Sequence, residues 1–256
     1  MAQVKFSGPI RSDEGFNVVG TRVSDTVQYT RLAPDHDPAT SKKAGGAAGG
    51  ATGNENVMIF ANDHLEYHIL GTQTITAPSI TSTGLNIGMD QTNNDGVEVS
   101  QGILSNSKHA YTVGTSEAFY FAVEFAIADV SGTDDCAVGF RKAEAYQANI
   151  DDYDELACLN VISGNINIET ILNGAATTTT DTTDNWADGE THTLKVIVDK
   201  GGAVSYQIDA AAPTTTATFS FDSGEVVVPF LYFLNAVDVA GAVNIITWEC
   251  APLSIA

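Results

Sequence analysis

The chain has 256 residues, of which 43% are hydrophobic, and a formal net charge of −21 from 32 acidic residues and only 11 lysines and arginines. A chain of this length can bury a substantial core, in one large all-β domain or in two smaller ones. Nucleic acids and anionic membrane surfaces bind basic patches, so this charge argues against both as partners.

The first 56 residues lack the alternating apolar pattern of the rest of the chain. Within them, residues 34–56 (PDHDPATSKKAGGAAGGATGNEN) consist mainly of small and polar residues. Such a composition cannot bury enough apolar surface to order a segment by itself. We therefore predict an extended N-terminal arm with a Gly/Ala-rich flexible loop over residues 1–56, followed by a sandwich domain over residues 57–256.

Basic residues are concentrated in this predicted arm. The first 43 residues contain six of the 11 basic residues but only five of the 32 acidic ones. We therefore predict that the arm docks on an acidic surface of another protein; an ordinary surface segment is the alternative. The candidate docking residues are Lys5, Arg11, Arg22, Arg31, Lys42 and Lys43.

Strand patterns follow from residue 57 onward. Side chains on a strand alternate between its two faces, and residues 119–129 (FYFAVEFAIAD) show this pattern most clearly. Residues 72–83 are polar and β-branched, which favours an exposed or edge strand. Turn signals recur about every ten residues, as in a sandwich or jelly roll. Further strands are predicted at residues 57–62, 65–71, 136–142, 155–162, 165–172, 216–221, 225–235 and 243–250.

Residues 186–209 (WADGETHTLKVIVDKGGAVSYQID) predict a β-hairpin with one apolar face. The sequence Lys200-Gly201-Gly202 supplies the positive φ angles that a tight turn needs. We thus predict an all-β fold, a two-sheet antiparallel jelly-roll sandwich. Cys158 and Cys250 are expected to be small buried hydrophobes. The predicted core contains Phe119, Phe121, Phe125, Leu194, Val196, Tyr206, Phe230 and Trp248.

Four polar segments resemble binding sites but are better explained as surface. His64 and His68 share a predicted strand, where they would lie roughly 13 Å apart, too far for one metal ion, so both are expected to face solvent. Residues 90–96 resemble a calcium loop but lack its terminal bidentate glutamate, and a turn is the simpler interpretation. Residues 151–155 are expected to form a solvated acidic turn, and residues 177–183 a polar loop tip.

No catalytic constellation is visible in the sequence. Glycosidases built on sandwiches use paired carboxylates, and the E-x-D-x-E strand motif of one such class is absent. Glu124 is a single carboxylate flanked by Ala122 and Ala126 on its strand face. We therefore predict that the protein is not an enzyme and needs no cofactor or metal. The three cysteines lack a CxxC spacing, and the N-terminus lacks an apolar signal segment, so we expect folding in a reducing cytosol.

The hairpin carries a family resemblance. Residues 186–209 resemble concanavalin A-like (laminin G-like) sandwiches, which often show W-x-D-G-x-x-H-x-L-x-V before the hairpin and Y-x-I-D after it. Taken as an ordered set, residues 84–99, 119–129, 186–199 and 226–236 are similar to structural proteins of tailed phages, particularly marine and cyanobacterial ones.

This resemblance implies a virion component without catalytic residues. We expect a decoration (cement) protein that docks on the major capsid protein through its arm, at the capsid surface, after assembly in the host cytoplasm. Decoration proteins of this type often sit at symmetry axes, which favours a homo-oligomer, with a trimer as the first expectation. The alternative is a carbohydrate-binding (lectin-like) module or a host-attachment head fibre or knob.

Overall fold

The structure is a computed structural model that describes residues 56–60, 63–72, 74, 79–86, 88–90, 92–100, 110–238 and 243–253. Residues 1–55 of the predicted arm, with the six basic docking residues, lie outside the described residues, and Asn56 is already the first residue of a strand. The fold is almost entirely β. The described strands are β1 (Asn56–Phe60), β2 (Asp63–Leu70), β3 (Ser79–Thr81), β4 (Gly84–Asn86), β5 (Gly96–Ser100), β6 (Tyr111–Thr112), β7 (Phe119–Ile127), β8 (Thr133–Lys142), β9 (Leu156–Ile162), β10 (Asn165–Ile171), β11 (Thr178–Asn185), β12 (Thr191–Val198), β13 (Val204–Ile208), β14 (Val226–Asn235) and β15 (Val243–Pro252).

The strands form two antiparallel sheets, which confirms the predicted two-sheet sandwich. The larger sheet has nine strands in the order β1-β2-β5-β14-β8-β9-β10-β11, with β6 paired to β14. The smaller sheet has six strands in the order β13-β12-β7-β15-β4-β3. Neighbours in space are mostly distant in sequence, so the sheets depend on long-range pairing.

The core lies between the sheets and follows the predicted alternation. Phe121 of β7 pairs with Val196 of β12, and both side chains are fully buried. The Phe121 ring lies 4.6 Å from the ring of Trp248 and 6.1 Å from that of Phe140. Burying each such side chain stabilises the fold by roughly 1.5–3 kcal/mol. Trp248 itself is only partly buried against this core.

The β12–β13 hairpin forms as predicted, with five residue pairs from Leu194 opposite Ile208 to Val198 opposite Val204. Only the second turn glycine needs its special conformation: Gly202 has a φ of 98°. A Cβ atom there would lie 2.4 Å from the carbonyl oxygen of Phe221. This glycine therefore allows the turn to approach the neighbouring chain closely.

A second apolar layer covers the outer face of the nine-stranded sheet. The segment that connects β8 to β9, residues 143–155, folds back over this face, and we call it the strap. Ile150 and Tyr153 of the strap pack with Phe230 and Tyr232 of β14. Phe230, predicted in the core, is thus buried in this layer and not between the sheets. The strap also overturns the prediction of a solvated turn at residues 151–155, because Tyr153 and Glu155 are buried.

Two further predictions were wrong. Residues 177–183 are mostly strand and not a loop tip: β11 pairs with β10 at the edge of the larger sheet, as β-branched threonines favour. Residues 216–221 do not form a strand. They lie along the edge of β13, where Ala203 and Ser220 make an isolated bridge, and so cover part of an exposed strand edge.

Of the two cysteines predicted to be buried, Cys158 is buried, while Cys250 is only partly buried.

Within the part of the chain that the structure describes, no helix is long and apolar enough to cross a membrane.

Candidate functional site

The outer face of the nine-stranded sheet holds the main group of polar side chains that the core does not explain. On this face we distinguish two groups of polar side chains, which we call the open part and the closed part. The open part spans β8 to β11 and carries Asp135, Asn160, Asn167, Glu169 and Thr179. The closed part lies beneath the strap on β2, β5 and β8. Strand pairing explains the assembly, because Asn160 lies opposite Asn167, and Glu169 lies opposite Thr179.

In the open part, Asn160 holds two carboxylates. Its amide nitrogen donates to Oδ1 of Asp135 at 2.6 Å and to Oε2 of Glu169 at 2.7 Å. Its own Oδ1 accepts from the backbone N–H of Cys136 at 2.8 Å, which fixes the amide orientation. The Thr179 hydroxyl donates to the other oxygen of Glu169 at 3.0 Å. The open part is therefore a rigid row of hydrogen-bonding groups.

Burial and mutual repulsion change the acidity of these two carboxylates. Asp135 is 9% exposed and Glu169 is 6% exposed. Burial raises the pKa of Asp135 to about 7; the Asn160 hydrogen bond opposes this shift, and the charge of Glu169 adds to it. Burial also raises the pKa of Glu169, against the hydrogen bonds from Asn160 and Thr179. Asp135 therefore changes its charge near neutral pH, beside a glutamate whose pKa is also raised.

Asp135→Asn is expected to make stability less dependent on pH. The folded-state pKa of Asp135 is about 7, above its ordinary value of 3.8, so wild-type stability falls as pH rises between these values. The asparagine cannot ionise, and the variant should gain at least about 1 kcal/mol relative to wild type between about pH 5 and pH 8. Urea unfolding at both pH values measures this. Glu249→Gln, an exposed carboxylate on the other sheet, should show no such gain; an equal gain would contradict the assignment.

The closed part is centred on a buried ion pair. The guanidinium of Arg141 donates from Nε to Oε1 of Glu98 at 2.7 Å, and both side chains are 0% exposed. The Tyr153 hydroxyl donates to the second oxygen of Glu98. Burial raises the pKa of Glu98, while the Arg141 charge and the Tyr153 hydrogen bond lower it. These opposing contributions leave a paired, hydrogen-bonded charge in the second apolar layer.

Aromatic rings enclose the Arg141 guanidinium. Its Cζ lies 4.7 Å from the ring centroid of Tyr153 and 5.1 Å from that of Tyr146. The ring of His68 stacks on Tyr146, with centroids 3.1 Å apart. The predicted solvent-facing position of His68 was therefore wrong: its ring is partly buried, and burial, followed by the Arg141 charge, lowers its pKa to about 4. The side chain of His64 lies outside what the structure describes.

The end of the strap adds a third group of charges. The ammonium of Lys142 binds Asp154 at 2.6 Å and Glu225 at 3.2 Å. The nearby side chain of Glu155 is buried. Burial raises the pKa of Glu155 to about 7, and the charges of Glu225 and Asp222 raise it further. This group anchors the strap between β8 and the start of β14.

The residues that match the hairpin signature are structural. Trp186 is buried in the core and donates from Nε1 to the carbonyl of Glu190 at 3.2 Å. Asp188 accepts from the backbone N–H of Val130 at 2.9 Å and so closes the β7–β8 turn. His192 lies between Asp209 at 2.6 Å and Glu190 at 3.2 Å. Although burial opposes protonation of His192, these two carboxylates raise its pKa. The signature therefore stabilises the hairpin.

The described carboxylates of residues 90–96 are used in local hydrogen bonds and do not form a set of calcium ligands. Oδ1 of Asp95 accepts from the backbone N–H of Thr72 at 2.6 Å, and Asp90 accepts from the backbone of Thr74 at 2.7 Å and of Thr92 at 3.2 Å. These carboxylates thus stabilise local turns. Across the described ranges, no group of three or more His, Cys, Asp or Glu residues could hold a metal ion.

No protein family matches the sequence, and no curated protein matches it. Among solved structures, the fold is similar to the carbohydrate recognition domain of Emp46p in its metal-free form, with a TM-score of 0.50 and 8% identity over 74% of this chain and 89% of that domain. Carbohydrate-binding module CBM66 from Bacillus subtilis matches with a TM-score of 0.42 and 14% identity, over 70% of this chain and 93% of the module.

An alginate lyase from Corynebacterium sp. matches with a TM-score of 0.46 and 13% identity, over 70% of this chain and 82% of the enzyme. At 8% identity, the likeness to the Emp46p domain shows the fold alone. The described part of the chain is a concanavalin A-like β-sandwich, of the kind also found in carbohydrate-recognition domains.

Proposed function

We propose that this protein binds carbohydrate through the open part of the nine-stranded sheet. The observation that supports the proposal is the fixed row of Asp135, Asn160 and Glu169. Planar carboxylate and amide groups are good partners for the hydroxyl pairs of a sugar, and groups already held in place lose little entropy on binding. Asp135 uses Oδ1 to accept from Asn160, so a ligand would donate to Oδ2 of this side chain, which is 9% exposed. The Emp46p domain, by its name, recognises carbohydrate on the same fold.

Negative charge favours neutral or amino sugars over acidic ones. The formal net charge is −21, and the two buried carboxylates lie beside the exposed acidic residues Asp134 and Asp151, which raise the pKa of Asp135 further. A sulfated or carboxylated sugar placed in this row would be repelled. We therefore place neutral and amino glycans first in any screen.

A glycan array followed by calorimetry tests the proposal. Asp135→Asn keeps the shape of the side chain but replaces one acceptor with a donor, so we expect at least a tenfold loss of affinity, about 1.4 kcal/mol. Glu249→Gln removes an exposed carboxylate from the other sheet and should bind like wild type. Absence of any glycan ligand, or equal effects of the two substitutions, would show that this face does not bind sugar.

We further propose that the protein binds without cleaving. Asp135 and Glu169 resemble the carboxylate pair of a glycosidase, but both accept from the same Asn160 nitrogen. They are therefore tied to a protein donor instead of standing free on either side of a scissile bond. Incubation with a bound oligosaccharide should leave its length unchanged. Turnover that one carboxylate substitution abolishes would overturn this.

Attachment to a phage capsid remains a second proposal, supported by the charge distribution in the sequence. Six of the 11 basic residues lie within residues 1–43, ahead of the first described strand at Asn56. Such an arm could dock on the major capsid protein and display the acidic sandwich on the virion surface, as a homo-oligomer. Arg11, Arg22 and Arg31 could form bidentate pairs with capsid carboxylates.

Deletion of residues 1–43 tests the capsid proposal independently of sugar binding. The truncated protein should fold, because the described strands lie downstream, and should keep its glycan ligand while failing to bind capsids that lack the protein. Co-sedimentation with capsids measures capsid binding. Light scattering of the full chain measures whether it forms a trimer. Equal capsid binding by the truncated and full-length proteins would show that the arm is not the anchor.

A further inference from the structure

A second group of polar atoms, beneath the strap, is not explained by folding alone. Arg141 uses Nε for Glu98, and Nη1 donates to the carbonyls of Lys142 at 3.0 Å and Glu144 at 3.3 Å. Its Nη2 is buried and makes no hydrogen bond within the described part of the chain. A buried donor without an acceptor costs about 1–3 kcal/mol, and more when it is charged. Native proteins keep few such atoms, and each calls for an explanation.

His68 contributes a second unpaired nitrogen to the same region. Its Nε2 is buried and makes no hydrogen bond to any residue that the structure describes. Its ring and the Arg141 guanidinium both contact the ring of Tyr146. The two groups also interact electrostatically, since the charge of Arg141 contributes to the lowered pKa of His68. Two buried nitrogens that can both donate, one on β2 and one on β8, therefore belong to groups that contact the same tyrosine ring and lack an acceptor among the described residues.

We propose that the region formed by His68, Arg141 and Tyr146 is a binding site for an oxyanion, a carboxylate or sulfate group carried by a ligand. An oxyanion offers several acceptor oxygens, which can accept from the two N–H groups of the guanidinium Nη2 and from a neighbouring imidazole N–H. Neutral hydroxyl groups would also accept, but they would gain less from the fixed positive charge in a region of low dielectric constant. This site is separate from the open row and does not depend on the proposed sugar binding.

The charges around the site allow one further negative group. Arg141 is neutralised by Glu98, which lies opposite His68 on the neighbouring strand. Tyr153 donates to Glu98, and Tyr146 covers the guanidinium. A bound carboxylate or sulfate ester would leave the region with one net negative charge, and inorganic sulfate with two; protonation of His68 would balance one of them. Anion binding and proton uptake at His68 are therefore linked.

Access to the site requires only part of the strap to move. Tyr146 is partly exposed, whereas Ile150 and Tyr153, further along the strap, are packed in the second apolar layer. Displacement of Tyr146 would open the guanidinium edge while this apolar anchor stays in place. The expected motion is thus a local opening of the strap.

The test follows the ring nitrogens of His68 by NMR in the full-length protein. Without ligand, the pKa of His68 is about 4, so the ring is neutral from about pH 5.5 to pH 7, where the high net charge keeps the protein soluble. Saturating sodium sulfate should produce protonated His68 at the lower end of this range, through an upward pKa shift of at least about one unit, a tenfold coupling. A parallel titration with sodium glucuronate tests whether the site also accepts a carboxylate that is part of a sugar.

His192 serves as the control within the same spectrum. It is held between two carboxylates in the hairpin, so an oxyanion should not shift its pKa upward. Sodium chloride at matched ionic strength controls for screening. A His68 pKa that does not change with sulfate or glucuronate, or that changes as much with chloride, would overturn the proposal.

Two substitutions separate binding from general electrostatics. Arg141→Lys keeps the charge but removes Nη2, and it should weaken the saturable effect at least tenfold. If that variant does not fold, His68→Gln supplies the measurement: it keeps a donor but cannot titrate, so sulfate should still bind while its affinity loses pH dependence. Sulfate affinity in His68→Gln that depends on pH as in wild type would contradict the linkage.

Discussion

Replacing Glu98 with glutamine is expected to destabilise the protein by about 3–5 kcal/mol, because Arg141 would then be a buried charge without a counter-charge. The ion pair has an N–O distance of 2.7 Å, and both side chains are 0% exposed. Glutamine preserves the volume, so the loss measures charge and hydrogen bonding more than packing. Urea unfolding at neutral pH gives the free energy of unfolding.

A matched control exists on the surface. Glu117 pairs with Lys200 at 2.6 Å, but these side chains are 55% and 56% exposed. Glu117→Gln should therefore change the free energy of unfolding by less than about 1 kcal/mol. The double variant Glu98→Met with Arg141→Met should recover much of the loss, since no unpaired charge remains. A loss from Glu98→Gln as small as that from Glu117→Gln would show that Arg141 does not depend on its partner.

The core between the sheets could be predicted because a strand has a period of two residues. In residues 119–127 every second side chain is a large apolar one, and Phe119, Phe121, Val123 and Phe125 are all buried. Such a pattern requires only local information, since it marks which face turns inward. The same argument located the β12–β13 hairpin and its turn at Gly202.

The second apolar layer also has a signal in the sequence, but it is not the two-residue alternation of apolar side chains. Residues 226–234 (VVVPFLYFL) are apolar without alternation. A continuous apolar run indicates a strand buried on both faces, and β14 is such a strand: Leu231 faces the core, while Phe230 and Tyr232 face the strap. The run predicts that something covers the outer face, although it does not say that residues 143–155 do so.

The candidate sites could not be predicted from the sequence because they depend on which residues of neighbouring strands pair with each other. Asp135, Asn160 and Glu169 come from three different strands, and Thr179 from a fourth. Each looks like an isolated polar residue in the sequence, and only the pairing of β8 with β9 and of β9 with β10 brings them together. Likewise, Glu98 and Arg141 are 43 residues apart in sequence. A motif along one strand, such as E-x-D-x-E, therefore cannot reveal a carboxylate pair that spans several strands.

Truncation of Phe121 to alanine is expected to cost about 3–5 kcal/mol, because the side chain is fully buried and the cavity left behind cannot be filled by neighbours fixed in two sheets. Its ring is 0% exposed and contacts Trp248 and Phe140 from the two sheets, at ring-centroid distances of 4.6 and 6.1 Å. The loss should therefore weaken the contact between the sheets as well as β7 itself.

Leu172→Ala supplies the control, since Leu172 is 37% exposed at the end of β10 and its truncation should cost less than about 1 kcal/mol. Phe121→Leu should fall between the two, because it retains most of the apolar volume. Urea unfolding of all three variants gives the order directly. Equal free energies of unfolding for Phe121→Ala and Leu172→Ala would mean that β7 does not pack between the two sheets as described.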